Sequence, residues 1–251
     1  MNASKRREMI LELLYLYKNL SSQELIIYLK ASSSTIRRDL TVLEQAGKVI
    51  RCHGGAKIKS DEHHLNAIDE LPLIRKVDLF RNDKIRIASY AAELVHDGDC
   101  VFIDSGSTPA YIYDFIKMKN VIVVTNNVTV IEKVKEKDRC EVILTAGPYN
   151  PAMKLVSGPL CNEIINQYNF THAFIGVSGF DISNGQCSCT ALDASSIKKH
   201  AMHNAAHSYI VADSSKRKEK GIICFAFFNE FDYILTTEFA VDEKIDCLVF
   251  C

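Results

Sequence analysis

Six short apolar runs alternate with stretches of helical periodicity from about residue 84 to the end of the chain. The runs lie at residues 100–103, 121–124, 142–144, 173–177, 209–212 and 233–235. Strands that alternate with helices in this way indicate a mostly parallel sheet with helices on both faces, which is a doubly wound α/β domain. Ligands of such domains bind beside the carboxyl ends of the strands, so the loops after these runs are candidate binding segments.

The length of the chain allows a second, smaller domain in front of this one. It has 251 residues, of which 47% are hydrophobic. No run approaches the roughly 18 consecutive apolar residues that a membrane span needs, so we expect a cytoplasmic protein with no membrane partner. The nine cysteines include no CxxC pair, and we expect reduced thiols rather than disulfides.

The charge of the chain is distributed unevenly. Residues 1–60 contain 11 basic and 5 acidic residues, a net charge of +6, whereas the remainder contains 19 basic and 26 acidic residues, a net charge of −7. A small basic segment joined to a larger acidic one suggests that the N-terminal segment meets a polyanion such as DNA.

Three short helices are predicted in the basic segment. Apolar residues recur at helical spacing over residues 5–18. Ser21 and Glu24 have the spacing of a capping box at the start of a second helix, and Ser32 is a natural N-cap for a third. Helices of this number and size, with a short turn between the second and third, indicate a helix-turn-helix.

The third helix has one apolar face and one face suited to DNA. Ile36, Leu40 and Leu43 form the apolar stripe. Short hydroxyl and arginine side chains near the start of an exposed helix can reach phosphate oxygens or base edges in a major groove. The candidate DNA-binding residues here are Ser33, Ser34, Thr35, Arg37, Arg38 and Thr41.

A hairpin is predicted after the third helix. Gly47 is expected to end the helix in a left-handed conformation. Two short extended runs, residues 49–51 and 56–58, then flank a Gly-Gly pair. On such a wing, Arg51, His53 and Lys57 are candidates for contact with the DNA backbone or the minor groove.

The loop after the first predicted strand of the α/β domain has the composition of an anion site. It reads Asp104-Ser105-Gly106-Ser107-Thr108-Pro109, and we expect Thr108 to be the N-cap and Pro109 the first helical residue. Free backbone N–H groups at a helix N-terminus bind anions, above all phosphate. An ordinary capped turn has the same appearance, so this loop alone leaves both interpretations open.

Three further loops are expected at the same edge of the sheet, and their convergence favours a pocket for a small polar ligand. Their candidate residues are Thr125, Asn126, Asn127, Gly147, Ser178 and Gly179.

Both parts of the chain resemble one known family. Thr-Ile-Arg-Arg-Asp-Leu at 35–40, Leu-Glu at 43–44, Gly47 and Arg-Cys-His-Gly-Gly-Ala at 51–56 resemble the signature of the DeoR family of bacterial transcription regulators. Residues 97–108, 125–127, 158–159, 173–179 and 212–216, with Lys198, resemble the sensor domain of that family. The family's sensor is similar to sugar-phosphate isomerases, and its ligands are typically phosphorylated sugars. The resemblance therefore implies that Ser105, Gly106, Ser107 and Thr108 hold a phosphate and that Lys198 reaches the sugar or phosphate.

Two other functions remain open from the residues. A sugar-phosphate isomerase with a DNA-binding appendage would use Asp104 and Lys198 as acid and base, but Ser196 stands where a second carboxylate is expected. A metal-sensing regulator would use His200, His203 and His207 on one predicted helix, although two histidines four residues apart rarely suffice for a specific site.

The sequence as a whole predicts a regulator rather than an enzyme, with no cofactor and no metal. We expect a winged helix-turn-helix over residues 1–58, a linker over 59–80 and an effector-sensing domain over 81–251. The expected partners are a double-stranded DNA operator and a phosphorylated sugar or polyol that releases a repressor from it. A homodimer or homotetramer is expected, because helix-turn-helix proteins pair two half-sites.

Overall fold

The computed structural model describes residues 2–17, 19–52, 54–58, 73–239 and 245–251. The chain forms two compact units, which divide between Leu71 and Pro72. Most of the predicted linker, and His53 of the predicted wing, lie outside the described residues. The end of the segment predicted as a linker forms a helix, Leu73–Asp78, in the second unit.

The first unit has the predicted winged helix-turn-helix arrangement. Its elements are α1 (Ala3–Tyr17), β1 (Asn19–Ser21), α2 (Ser22–Leu29), α3 (Ser33–Gln45), β2 (Val49–Cys52) and β3 (Gly55–Ile58). The strands form an antiparallel sheet in the order β1-β3-β2. The hairpin β2–β3 was expected, whereas β1 was not, because three residues before a helix carry no periodic pattern.

Side-chain caps fix the ends of the short helices. Ser21 N donates to the Glu24 carboxylate at 2.8 Å, and Glu24 N donates to Ser21 Oγ at 3.1 Å, which confirms the capping box. Thr35 N donates to Ser32 Oγ at 3.2 Å at the start of α3. Gly47 has φ +69° just beyond α3, as predicted. The sequence therefore sets the boundaries of α2 and α3 locally.

The second unit alternates strands and helices. Its helices are α4 (Leu73–Asp78), α5 (Arg81–Glu93), α6 (Ser107–Ile116), α7 (Val128–Ile131), α8 (Pro159–Ile165) and α9 (Leu192–His203), with 3₁₀ turns at Ser214–Lys218 and Phe228–Glu230. Its strands are β4 (Cys100–Ile103), β5 (Ile122–Thr125), β6 (Glu141–Leu144), β7 (Tyr149–Asn150), β8 (Leu155–Val156), β9 (Phe170–Ile175), β10 (Gly179–Phe180), β11 (Gln186–Cys189), β12 (Ala205–Val211), β13 (Ile223–Phe227), β14 (Tyr233–Thr236) and β15 (Leu248–Phe250).

Seven of these strands form one sheet in the order β15-β14-β12-β9-β4-β5-β6. Every neighbouring pair in it is parallel. Each of the six apolar runs of the sequence overlaps a strand of this sheet, which confirms the doubly wound α/β prediction. A second, antiparallel sheet of β10, β11 and β13, and the hairpin β7–β8, were not predicted.

Alternate residues of the central strands pack against opposite layers, so both faces of the sheet are covered. Val101 and Ile103 of β4 join a buried cluster with residues of α5 and α6. Phe102, between them, joins a second cluster that includes Ile197 of α9 and Phe225 of β13. Burial on both faces explains why the strands read as continuous apolar runs.

Two details of the sequence analysis are wrong. Helix α6 begins at Ser107 with Gly106 as the N-cap residue, so Thr108 is not the cap and Pro109 is not the first helical residue. Helix α9 ends at His203, and His207 lies in β12. His200, His203 and His207 therefore do not share a helix face. Among the helices that the structure describes, none is long and apolar enough to span a bilayer.

Candidate functional site

The apolar stripe of α3 is buried as predicted, which turns the candidate DNA-binding face outward. Ile36, Leu40 and Leu43 are in the core of the first unit. Ser33, Ser34, Arg37 and Arg38 are exposed, and Thr35 and Thr41 are half-buried.

The wing is connected to α3 through two of the candidate residues. Arg51 Nη1 of β2 donates to Thr41 Oγ1 at 3.4 Å, and Thr41 Oγ1 donates to the Arg37 carbonyl at 3.0 Å. Arg51 and Lys57 are both exposed. The contact therefore joins one candidate on the wing to two candidates on the helix.

Asp39 is the buried charged residue of α3. Its carboxylate accepts from Arg6 Nε at 2.5 Å and lies 3.3 Å from Arg7 Nε, and both arginines belong to α1. The sequence analysis did not select Arg6 or Arg7. The signal available was their charge, since nothing local in the sequence relates α1 to Asp39, which lies 33 positions after Arg6.

In the second unit, the loop between β4 and α6 is held by Asp104. This carboxylate is 1% exposed. It accepts from Ser105 N at 2.7 Å, from Gly176 N at 2.9 Å and from the ammonium of Lys198. Lys198 is itself 4% exposed and lies over the Phe225 ring, 5.7 Å from its centroid. Lys198 of α9 and the loop after β4 are therefore brought together, as expected for one site.

Asn127 fixes the other side of this loop. Its Nδ2 donates to the carbonyls of Asp104 at 3.2 Å and Gly106 at 3.0 Å, while its Oδ1 accepts from Thr129 N. Thr125 Oγ1 donates to the Ile103 carbonyl at 2.6 Å and accepts from Asn127 N. Both side chains are fully buried, so their contacts position the loop.

The start of α6 has the composition of an anion site. Gly106 has φ +123°, a conformation that residues with a Cβ rarely adopt, and this turns the chain from β4 into the helix. The first backbone N–H groups of a helix have no partner within it. Ser107 and Thr108 add hydroxyl groups at this end, and both are largely buried.

The remaining candidates lie at different distances from this centre. Asn126 Nδ2 donates to the Val156 carbonyl, and its buried Oδ1 has no hydrogen-bond partner among the described residues. Gly147 is exposed between β6 and β7. Ser178 N donates to the Ser188 carbonyl, and Gly179 pairs with Ser188 in the second sheet. The contacts of the described residues do not link Gly147, Ser178 or Gly179 directly to Asp104 or Lys198.

Comparison with protein families distinguishes the regulator from the isomerase alternative. The model of the DeoR C-terminal sensor domain matches residues 80–238, and the model of the DeoR-like helix-turn-helix domain matches residues 6–62. The protein belongs to the DeoR family. It is therefore a DNA-binding transcriptional regulator and not an enzyme, and the isomerase alternative is excluded.

The relatives in the DeoR family match over nearly the whole chain. An uncharacterised transcriptional regulator of Bacillus subtilis, FruR, is 33% identical over 92% of this chain and 90% of its own length. The glycerol-3-phosphate regulon repressor of Escherichia coli is 28% identical over 94% of this chain and 91% of its own. The lactose phosphotransferase system repressor of Lactococcus lactis is 28% identical over 86% and 84%.

Among solved structures, one match is ribose 5-phosphate isomerase A from Methanocaldococcus jannaschii. It matches with a TM-score of 0.40 and 17% identity, over 55% of this chain and 54% of that one.

Two residues around the candidate site were not selected from the sequence. Gly176 donates its N–H to Asp104, and the thiol of Cys161 donates to Thr145 Oγ1 at 3.2 Å. Burial raises the pKa of the Cys161 thiol, so it remains a donor at neutral pH. A backbone N–H has no sequence signature.

The metal-sensor alternative required His200, His203 and His207 to share one helix face, and they do not. The described residues contain no group of three or more metal-binding side chains.

Proposed function

We propose that this regulator represses genes of sugar or polyol catabolism and leaves its operator when the sensor domain binds a phosphorylated sugar or polyol. The observation that carries the proposal is the start of α6. There the backbone N–H groups that follow Gly106 and the hydroxyls of Ser107 and Thr108 lie on the same loop as Asp104, the partner of Lys198. Unpaired N–H groups and the helix dipole both favour a phosphate at such a position.

Lys198 gives this site a means of responding to a ligand. In the structure its charge is balanced by Asp104 in a buried ion pair. A phosphate bound at the start of α6 competes with Asp104 for the ammonium group, and the neutral partners Ser105 N and Gly176 N continue to hold the carboxylate. Ligand binding thus changes the contact between α9 and the loop that follows β4.

The names of the relatives agree with a ligand of this chemistry. One is a repressor of a glycerol-3-phosphate regulon and another of a lactose phosphotransferase system. A phosphorylated sugar or polyol is therefore the first class of compound to test, and the described residues single out no member of it.

Release of DNA follows from linkage between two sites. We take the regulator to act as a homodimer or homotetramer, because one operator presents paired half-sites to two recognition helices. A ligand that binds one arrangement of the oligomer better, by about 1–3 kcal/mol, weakens operator binding about 5- to 150-fold.

The test is a thermal-shift screen of phosphorylated sugars and polyols against their unphosphorylated parents, followed by operator release. A rise in melting temperature with one phosphorylated compound, and not with its parent, is the expected result. The same compound should weaken binding to the duplex that the protein selects from a random-sequence pool. Stabilisation by the parent alone, or by divalent cations alone, contradicts the phosphate site.

Paired variants separate the two activities. Ser107→Glu places a carboxylate where the phosphate belongs, so the variant should bind the duplex without responding to the compound. Gln167→Glu adds the same charge at an exposed position of the same unit and should respond normally. Arg38→Ala should lose duplex affinity and keep the thermal shift. Damage to both activities by either Ser107→Glu or Arg38→Ala in a folded protein would refute this division of roles.

A further inference from the structure

A recess in the first unit is lined by residues of both α1 and α3. Its volume is about 300 Å³, and its polar lining consists of Arg6, Arg7, Ser34, Thr35, Arg38 and Asp39. Three of these are arginines and one is an acid, so the lining carries a formal charge of +2. Ser34 and Arg38 also belong to the exposed face of α3 that is proposed to meet DNA, which places the recess at the border of that face.

Asp39 holds the two arginines of α1 at this border. It is 2% exposed and lies between Arg6 Nε at 2.5 Å and Arg7 Nε at 3.3 Å. A buried carboxylate requires such partners, because an unpaired charge is costly in the interior. Arg6 makes the shorter contact, and its side chain is 15% exposed, whereas that of Arg7 is 33% exposed. Arg6 therefore makes the closer contact with Asp39, and the Arg7 side chain, whose Nε also donates to the Ala3 carbonyl at 3.1 Å, is the more exposed of the two.

The hydroxyl groups at the start of α3 complete the lining. Ser32 Oγ lies 3.0 Å from Ser34 Oγ and 2.8 Å from Thr35 Oγ1, so the three hydroxyls form one cluster. Hydroxyl and guanidinium donors together are the groups with which proteins most often bind DNA phosphates. A single acid that is already shared by two arginines leaves an excess of positive charge for an anion.

We infer that this recess binds a phosphate of the DNA backbone beside the groove occupied by α3, with Arg7 and Arg38 as its ligands and Arg6 and Asp39 as positioning residues. The inference rests on the DNA-binding role of α3 and adds α1 to the interface. In this arrangement α1 contacts the DNA backbone, so the recess contributes to affinity for every sequence. It also fixes how deeply α3 enters the groove, without reading bases.

The first experiment measures affinity for the selected duplex as a function of salt, with no sugar phosphate present. Each phosphate contact contributes about 0.9 to the slope of log affinity against log salt. Arg7→Gln should lower affinity about equally for the selected and for unrelated duplexes, and reduce the steepness of the slope by about that amount. Between 50 and 200 mM salt, the disadvantage of the variant should then shrink about 3.5-fold.

Two variants serve as controls. Arg139→Gln removes one exposed positive charge from the second unit and should leave the slope unchanged. Arg7→Lys keeps the charge and should retain most of the slope, which shows that the effect is electrostatic even if Arg7→Gln proves unstable. An unchanged slope in Arg7→Gln, or a loss confined to the selected sequence, would overturn the inference.

The second experiment locates the phosphate. Single phosphates of the duplex are replaced in turn by uncharged methylphosphonates. At one position per half-site, wild-type protein should lose affinity while Arg7→Gln loses little more, because the same contact is already absent. Additive losses at all positions would mean that Arg7 acts only through Asp39 and the packing of α3. Because no effector is used, a failure of the sugar-phosphate proposal leaves both readouts interpretable.

Discussion

The buried Asp104–Lys198 pair should make a large contribution to the stability of the sensor domain, because each charge has the other as its partner. Asp104→Asn leaves the ammonium of Lys198, which is 4% exposed, without its carboxylate. Removing one member of a buried pair typically costs about 3–5 kcal/mol. We expect a loss of this size in the free energy of unfolding of the second unit, measured by urea denaturation followed by circular dichroism.

Lys198→Met is the matched variant and should cost less. Asp104 then still accepts hydrogen bonds from Ser105 N and Gly176 N, which stabilise its charge. The double variant should be less destabilised than the sum of the two single losses, since neither charge remains without a partner. Additive losses would show that the two groups do not interact energetically.

The sequence analysis assigned both members of this pair to one site, Lys198 through the family resemblance, but did not predict that they form an ion pair. The loop after β4 was recognisable, because hydroxyl residues and glycine follow a buried strand. Lys198 lies 94 positions later, and no local pattern relates it to Asp104. The same limit applies to the cap of α6. The side chain of Thr108 suits an N-cap, but the chain turns two residues earlier, at Gly106, which has a positive φ.

The wing gives a prediction about neighbouring glycines of the first unit. Gly54 has φ +81°, and a Cβ added there would meet no atom within 4 Å, so Gly54→Ala meets only the backbone cost of a left-handed residue, about 1–2 kcal/mol. At Gly55, a Cβ would lie 2.2 Å from the Leu20 carbonyl of β1. Gly55→Ala must therefore push β1 away from β3, and we expect a larger fall in melting temperature than for Gly54→Ala. Equal falls in melting temperature for the two variants would contradict the close approach of β1 to Gly55.

Elements with a repeating pattern could be predicted, and elements without one could not. The six runs of apolar residues all became strands of the central sheet, since burial on both faces is visible in the sequence. Strands β1, β7, β8 and β10 span two or three residues each, which is too short for a period to show. In β11, Gln186 and Ser188 alternate with cysteines, and this pattern is weak beside that of the central strands.

Across the whole second unit, the two ends of the sheet carry different chemistry. The proposed effector site lies at the carboxyl end of β4 and β5. At the amino end, His172 of β9 is paired in register with His207 of β12, and their rings stack with centroids 5.7 Å apart. His172 Nε2 lies 3.5 Å from Asp99 Oδ2, and His207 Nδ1 lies 3.2 Å from Asp232 Oδ1. The sequence analysis expected His207 on a helix and did not select His172, so this contact between two strands was not predicted.

This amino-terminal cluster makes stability depend on pH in a defined direction. Burial, assisted by His207 and His96 and opposed by Asp99 and Asp232, lowers the pKa of His172 below its ordinary value of 6.5. The folded state therefore binds a proton at His172 less readily than the unfolded state does. The stability that the neutral His172 contributes is fully present above the pKa of the unfolded state, and it is lost as the pH falls below about 6.5 towards the lower pKa of the folded state.

Melting temperature should accordingly fall between about pH 7 and pH 5, and His172→Gln should flatten that part of the profile because the differential proton uptake is removed. His203→Gln is the control, since His203 is exposed at the end of α9 and its replacement should leave the slope as in the wild type. The measurement is differential scanning calorimetry across the pH series. If His172→Gln kept the full wild-type slope, the pH dependence would have to come from the carboxylates instead, and the stacked histidines would carry no part of it.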